Sequence, residues 1–162
     1  MKIKAYIDTN IYIYVALRNT SYYSKCKRIL RDMINRRFEA FGSNLIVIEI
    51  LGSLSKINTH IAHGALKAYL SMPIRNLDIT NKVLLMASYI NECVNVRYDA
   101  IHASLMFENS ICNIITNDVD NWRKIKENIG QIKSLLEENK IMIDIEDLNI
   151  ITPYSYLDYV NL

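Results

Sequence analysis

Apolar and polar residues alternate at the start of the chain, Ile3, Ala5 and Ile7 against Lys4 and Tyr6, the period of a strand. That strand ends at Asp8-Thr9-Asn10, and a short helix is predicted from Ile11 to Leu17. Residues 24–37 place Cys26, Ile29, Leu30, Met33 and Ile34 on one helical face, with Lys25, Lys27, Arg28, Arg31 and Arg36 elsewhere. A short strand is predicted at Phe38 to Phe41, then a helix from an N-cap at Ser43 to about Ile57. Residues 60–71 read as a helix that stops before Pro73, and Asn76 to Ile79 as extended chain. Thr80 or Asn81 caps a helix to about Asn91, and another runs from about Tyr98 to Glu108. Ile111 to Thr116 is a short apolar run of the kind a buried parallel strand needs, and Leu148 to Thr152 is a last strand stopped by Pro153. In the stretch 123–147, Ile125, Ile129, Ile132, Leu135 and Leu136 have helical spacing, which Gly130 weakens by about 1 kcal/mol. Ile141 to Ile145 alternates and allows a small extra strand.

Strands separated by helices predict an α/β fold on a mostly parallel sheet of four or five strands. The 162 residues suit one domain, and no repeat or linker divides them. With 51% hydrophobic and 22% charged residues, the chain is an ordinary globular protein, not a disordered or fibrous one. A net charge of +2 permits an anionic partner without demanding one. Cys26, Cys93 and Cys112 are scattered, which argues against a zinc site and for thiols in a reducing cytoplasm. No apolar run approaches a membrane span, and the first strand reaches Asp8 before a signal-peptide core could form. The expected location is cytoplasmic, with no membrane partner.

Four acids fall at structural corners. Asp8 closes the first strand, where an open parallel sheet binds its ligands, although an Asp there equally suits a helix cap. Asp118 repeats the pattern after Thr116-Asn117, with Asp120 close behind. Glu49 interrupts an apolar helix: it either needs a partner as a buried carboxylate or belongs to a solvent-facing stripe with Ser53 and Lys56. Asp99 opens a helix, which the helix dipole alone would explain. His102, three residues on, reads as a structural histidine.

These fragments together resemble the PIN-domain family, and within it the VapC-type toxin ribonucleases. Tyr6-Ile7-Asp8-Thr9-Asn10-Ile11 is similar to the family's opening strand and its Asp-Thr/Ser-Asn end. Ser43 through Leu54 resembles the second motif, an apolar helix carrying one Glu. Asp99-Ala100-Ile101-His102-Ala103, Ile114-Ile115-Thr116-Asn117-Asp118 and Leu148 through Pro153 resemble the remaining three. The resemblance covers nearly the whole chain. It implies a three-layer α/β/α fold and an acidic cluster of Asp8, Glu49, Asp99 and Asp118 that binds Mg²⁺ or Mn²⁺. Thr9, Asn10, Ser43 and Thr116 would line or brace that cluster. It also implies an antitoxin partner and a homodimer. Two departures stand out. The family's Asp-x-Asp-Phe becomes Asp118-Val119-Asp120-Asn121, which weakens a metal role for Asp120, and the atypical segment 123–147 precedes the last strand.

Carboxylates about 4 Å apart repel by about 4 kcal/mol at an effective dielectric of 20, so four in one crevice either take up protons or hold a cation. An oxygen-only donor set favours Mg²⁺ or Mn²⁺. The expected activity is therefore metal-dependent hydrolysis of RNA phosphodiesters, with Arg97 and Arg123 the basic residues nearest the acids in sequence. Lys25, Lys27, Arg28, Arg31, Arg36, Arg37 and Lys124 could also track an RNA backbone, or simply form solvated faces. The alternative is a PIN-like RNA-binding or scaffolding protein with little catalysis. A nucleotide-binding enzyme is disfavoured, since the chain has four glycines and neither GxGxxG nor a P-loop.

Overall fold

The strand at Lys4–Ile7 (β1) buries every residue but Lys4, because both of its edges and both of its faces are covered. In this computed structural model, which describes residues 2–160, β1 is the centre of a five-stranded sheet of order β3-β2-β1-β4-β5. The other strands are β2 (Glu39–Ser43), β3 (Arg75–Leu77), β4 (Asn113–Ile115) and β5 (Asn149–Ile151). The sheet is parallel throughout, and helices flank it. Tyr6 sets the register on both sides, opposite Phe41 on β2 and Ile114 on β4. Parallel neighbours need long crossovers. These are supplied by α1 (Thr9–Ala16), α2 (Tyr23–Ile34), α3 (Asn44–Ser55), α4 (Thr59–Ser71), α5 (Asn81–Val94), α6 (Asp99–Glu108), α7 (Val119–Glu127) and α8 (Ile129–Glu138); α9 (Tyr156–Val160) follows the last strand.

The chain divides into two compact units. The first comprises residues up to Leu77, Ile114–Asn117, and the chain from Ile151 on. Here α3 packs on α4 and α1 on α2, around Ile11, Ile29, Met33, Ile46, Ile50 and Leu54. The second, Asp78–Asn113 with Asp118–Ile150, is a helical cluster in which α5 meets α6, α7 and α8. Its core is Val83, Met86, Ile90, Leu105, Trp122, Ile125, Ile132 and Leu136. The helix starts follow from capping: Asn58 accepts from the His60 and Ile61 N–H groups, and Thr80 from Val83 N–H. Asn95 ends α5 in the left-handed region at φ 46°.

Three expectations change. The helical stretch after Arg123 is two helices, α7 and α8, parted at Asn128, with Gly130 in the first turn of α8. Ile141, Ile143 and Ile145 are buried in alternation, but residues 139–148 form no strand. Ser43 occupies the N-cap position of α3 but gives it no side-chain bond, since its hydroxyl pairs with Tyr6 Oη at 2.8 Å.

Gly42 on β2 explains why no side chain is tolerated beside Ser43. A Cβ there would press on the Tyr69 hydroxyl and come within 3.1 Å of Ile74 Cγ2 and 3.3 Å of Ile46 Cδ1. The Tyr69 hydroxyl is held by Asn76 Oδ1 at 2.9 Å and the Ser43 carbonyl at 3.4 Å, so it cannot yield freely. Gly42→Ala is expected to lose about 1–3 kcal/mol by overpacking, read as a lower urea midpoint at unchanged m-value.

Candidate functional site

Asp8 follows β1 directly and holds an extended conformation, φ −70° and ψ 153°, at the N-cap of α1. It is only 6% exposed. A carboxylate that far from water must be satisfied by donors. Oδ1 accepts from Thr9 N–H at 2.6 Å. Oδ2 accepts from Asn10 Nδ2 at 2.8 Å and from Thr116 Oγ1 at 2.6 Å. Capping is thus only part of its role, since two of these donors come from side chains aimed at the carboxylate.

Thr116 is fully buried just past β4, and its N–H is tied to the Ile151 carbonyl on β5 at 2.9 Å. The strand ends therefore fix the hydroxyl that fixes Asp8. Asn10 is the second brace. Its Nδ2 also lies 3.1 Å from Thr116 Oγ1, and its Oδ1 accepts from Asn117 N–H at 3.1 Å. Asn117 in turn donates from Nδ2 to the Tyr14 hydroxyl at 3.2 Å.

Glu49 belongs to the same unit. The Thr9 hydroxyl donates to Glu49 Oε2, so Thr9 touches both carboxylates, Asp8 through its amide and Glu49 through its side chain. Glu49 is half-buried while Ser53 and Lys56 are exposed, so the solvent-facing stripe does not extend to it. Ser43 is bonded to the fully buried Tyr6. Burial pushes the Tyr6 phenol well above its ordinary range; the Ser43 hydrogen bond opposes this, and Tyr69, Asp8 and Glu49 add to it. The unit thus keeps a neutral phenol within electrostatic reach of two acids.

The second unit carries the other predicted acids. Asp99 lies in the first turn of α6, and its Oδ2 accepts from Asn121 Nδ2 at 2.8 Å. Asn121 stands where the family pattern has Phe, so this departure supplies a donor to a predicted site residue. Asp118 is at the N-cap position of α7 without capping it through its side chain. Asp120, in the first turn, is 88% exposed and 4.0 Å from Arg123 Nη1. Arg97 and Arg123 are exposed, and Arg97 has φ 55° with its N–H on Asn91 Oδ1 at 2.7 Å. His102 is buried, 1% exposed.

Sequence reasoning gave no role to Tyr6, Tyr14, Asn117 or Asn121. Only the change from Phe to Asn at 121 was a usable signal. Among the described residues, no group of three or more His, Cys, Asp or Glu side chains is placed to hold a metal ion. The first unit contributes the pair Asp8 and Glu49.

A family model for the PIN domain matches residues 5–128, three quarters of the chain, and the chain belongs to that family. The match ends at Asn128, where α7 gives way to α8. Solved structures of VapC and VapBC proteins share its fold. A Mycobacterium tuberculosis toxin, VapC20, described as cleaving the sarcin–ricin loop, superposes with a TM-score of 0.62 at 18% identity, covering 74% of this chain and 93% of its own. VapBC from Salmonella typhimurium bound to DNA gives 0.61 at 13% identity, covering 93% and 98%. VapBC2 from Rickettsia felis, bound to a promoter fragment, gives 0.58 at 15%, again covering 93% and 98%. No curated protein sequence matches the chain. Among the described residues no helix is long and apolar enough to cross a membrane.

Proposed function

We propose that this protein is a divalent-metal-dependent endoribonuclease of the VapC toxin type, acting in the cytoplasm. Asp8 and Glu49 are its proposed cation ligands in the first unit, and Asp99 and Asp118 the further candidate ligands that the second unit carries. The observation that carries the reading is the buried Asp8 carboxylate at the carboxyl end of the central strand, held by three donors in a chain of the PIN family.

The donor set fits Mg²⁺ or Mn²⁺. Asp8 and Glu49 in the first unit offer hard carboxylate oxygens. Mg²⁺ is commonly held by one or two carboxylates, with water and substrate phosphate completing its shell, so a dense protein cage is not required. When bound, such a cation neutralises charge on a phosphodiester and makes water easier to deprotonate. The chain's own part is orientation. Thr9, Asn10 and Thr116 fix Asp8, Thr9 also fixes Glu49, and Asn121 fixes Asp99. Ser43, whose hydroxyl is bonded to the buried Tyr6, is the remaining proposed brace, and Arg97 and Arg123 contribute positive charge for the RNA backbone. Asp120, exposed and facing Arg123, stays outside the ligand set.

We also take residues 1–162 as one PIN domain with the segment 123–147 added before the last strand. An antitoxin protein and a second copy of the chain are its inferred partners, the first supported by the VapBC assemblies that share the fold.

The test is cleavage of a pool of cellular RNAs by the purified protein. Cutting should need Mg²⁺ or Mn²⁺, stop with EDTA, and return when the metal is restored in excess. Asp99→Asn should cut at least tenfold more slowly without a change in fold. RNA binding with no turnover under any divalent metal would instead favour the RNA-binding alternative.

A further inference from the structure

Tyr14 and Tyr22, near each other in sequence, and the distant Tyr154 form a continuous ladder in the unit that holds Asp8. The Tyr14 ring stacks on Tyr22 with centroids 4.7 Å apart and planes within 20°. Tyr154 meets Tyr22 edge to face at 5.9 Å. The Lys25 ammonium lies 4.3 Å from the centre of the Tyr154 ring. The inner end of the ladder is wired to the candidate site: Tyr14 to Asn117, Asn117 to Asn10, and Asn10 to Asp8. The outer end is open, with Tyr154 58% exposed.

Both approaches to the ladder are pinned. Asn19 Oδ1 accepts from the N–H groups of Ser21 at 3.0 Å and Tyr22 at 3.1 Å, an Asx-type bend that delivers Tyr22. Around Tyr154 the chain closes on itself: Thr152 N–H donates to Ser155 Oγ at 3.0 Å and Ser155 N–H to Thr152 Oγ1 at 3.1 Å. A single exposed tyrosine would need no explanation. One set on a two-way turn, paired with an ammonium and continuous with two further rings, is a preorganised surface that loses little entropy on binding.

We propose that this ladder is a platform for single-stranded RNA, with an unpaired base stacking on Tyr154 and Lys25 turning to the neighbouring phosphate. Every base has a π-face, and aromatic rings beside cations bind single strands without reading sequence. Bases inside a duplex cannot reach such a ring. The inference rests on the nuclease reading for the kind of polymer and goes beyond it by naming the surface of this chain that holds an unpaired strand. It also places the strand's path: from Tyr154 inward along Tyr22 and Tyr14 towards Asp8.

The experiment measures fluorescence anisotropy of a labelled oligoribonucleotide, alone or annealed to its complement, with full-length protein carrying Asp8→Asn to prevent cutting. The single strand should bind more tightly than the duplex. Adding Tyr154→Ala should weaken single-strand binding about tenfold or more, while Tyr154→Phe stays within about twofold of the parent. Lys25→Ala should lower the salt slope by about 0.7, the value for one phosphate contact on a single strand. Equal affinity for strand and duplex, or an unchanged affinity in Tyr154→Ala, would overturn the platform. The two readings fail separately. RNA cleavage with an unaltered KM in Tyr154→Ala removes the platform and leaves the nuclease. Tyr154-dependent binding in a protein that never cuts removes the nuclease and leaves the platform.

Discussion

Asp8→Asn is expected to slow RNA cleavage about a thousandfold, equivalent to about 4 kcal/mol of barrier, while the protein still folds. The substitution is nearly isosteric, so packing against β1 and α1 is preserved. It removes one negative charge from the proposed ligand set, which is the part of Asp8 that a cation needs. It also puts an amide NH₂ where a carboxylate oxygen accepted. Turned one way, the new donor faces Thr9 N–H; turned the other, it faces Asn10 Nδ2. The first orientation strands a buried backbone donor, at a cost of about 1–3 kcal/mol, and the second leaves Asn10 Nδ2 with Thr116 Oγ1 as its acceptor. A modest fall in melting temperature should therefore accompany the loss of activity. Thr116→Val separates the two effects. It keeps the charge and deletes only the hydroxyl at 2.6 Å, so about a tenfold slower rate is expected from a less well-aimed carboxylate. Single-turnover cleavage of a labelled RNA measures both. A rate for Asp8→Asn within threefold of the parent would sink the assignment of Asp8 as a ligand.

The element order was legible because each helix and strand carries its own period, and the ends were marked by residues with few other uses there, such as Asn58, Thr80 and Asn95. Side-chain partners were less legible. Ser43 looks like a cap for α3 in sequence, but β1 and β2 in register bring Tyr6 beside it, and the phenol takes the hydroxyl. A local rule lost to a contact 37 residues away. The run Ile141 to Ile145 fails for a related reason. Alternating burial requires only an extended chain over a core, whereas a strand also requires a neighbour's backbone groups. Asn128 parts α7 from α8 although the apolar spacing runs through it, because periodicity reports which face is buried and not whether the backbone bonds are continuous.

The site residues divide in the same way. Asp8, Asp99 and Asp118 stand at element starts, which sequence spacing locates well. Their braces do not announce themselves. Asn121 reaches Asp99 from another helix, and Asn117 links Asn10 to Tyr14 across about a hundred residues of chain. The tyrosine ladder was invisible for the same reason, since Tyr14, Tyr22 and Tyr154 share no spacing that a period could reveal.

The second large effect is expected at alkaline pH. Tyr6, Tyr12, Tyr69 and Tyr156, four of the eleven tyrosines, are at most 4% exposed and all lie in the first unit. Burial raises the pKa of each well above that of a free phenol. For Tyr12, the neighbouring Tyr69, Tyr6 and Asp8 raise it further. For Tyr156, the Asp32 carboxylate raises it and Arg37 and Arg28 partly offset the rise. Below about pH 10 both folded and unfolded chains keep these protons, so stability is unaffected. Above that point the unfolded chain releases them and the folded chain does not. Each tyrosine then removes about 1.4 kcal/mol of stability per pH unit, and four together about 5 kcal/mol, until the folded pKa values are reached. A domain of ordinary stability should therefore unfold cooperatively between about pH 11 and 12. Phenolate absorbance and far-ultraviolet circular dichroism, followed together, test this: absorbance from the last four tyrosines should appear only as the helical signal is lost. Smooth titration of all eleven in a protein with unchanged dichroism would contradict it. Tyr12→Phe sharpens the measurement, because the Tyr12 hydroxyl is buried with no hydrogen-bond partner among the described residues. Deleting it should be neutral or stabilising by about 1 kcal/mol near pH 7, and should cut the alkaline slope by about a quarter, because one of the four protons that couple folding to pH is gone.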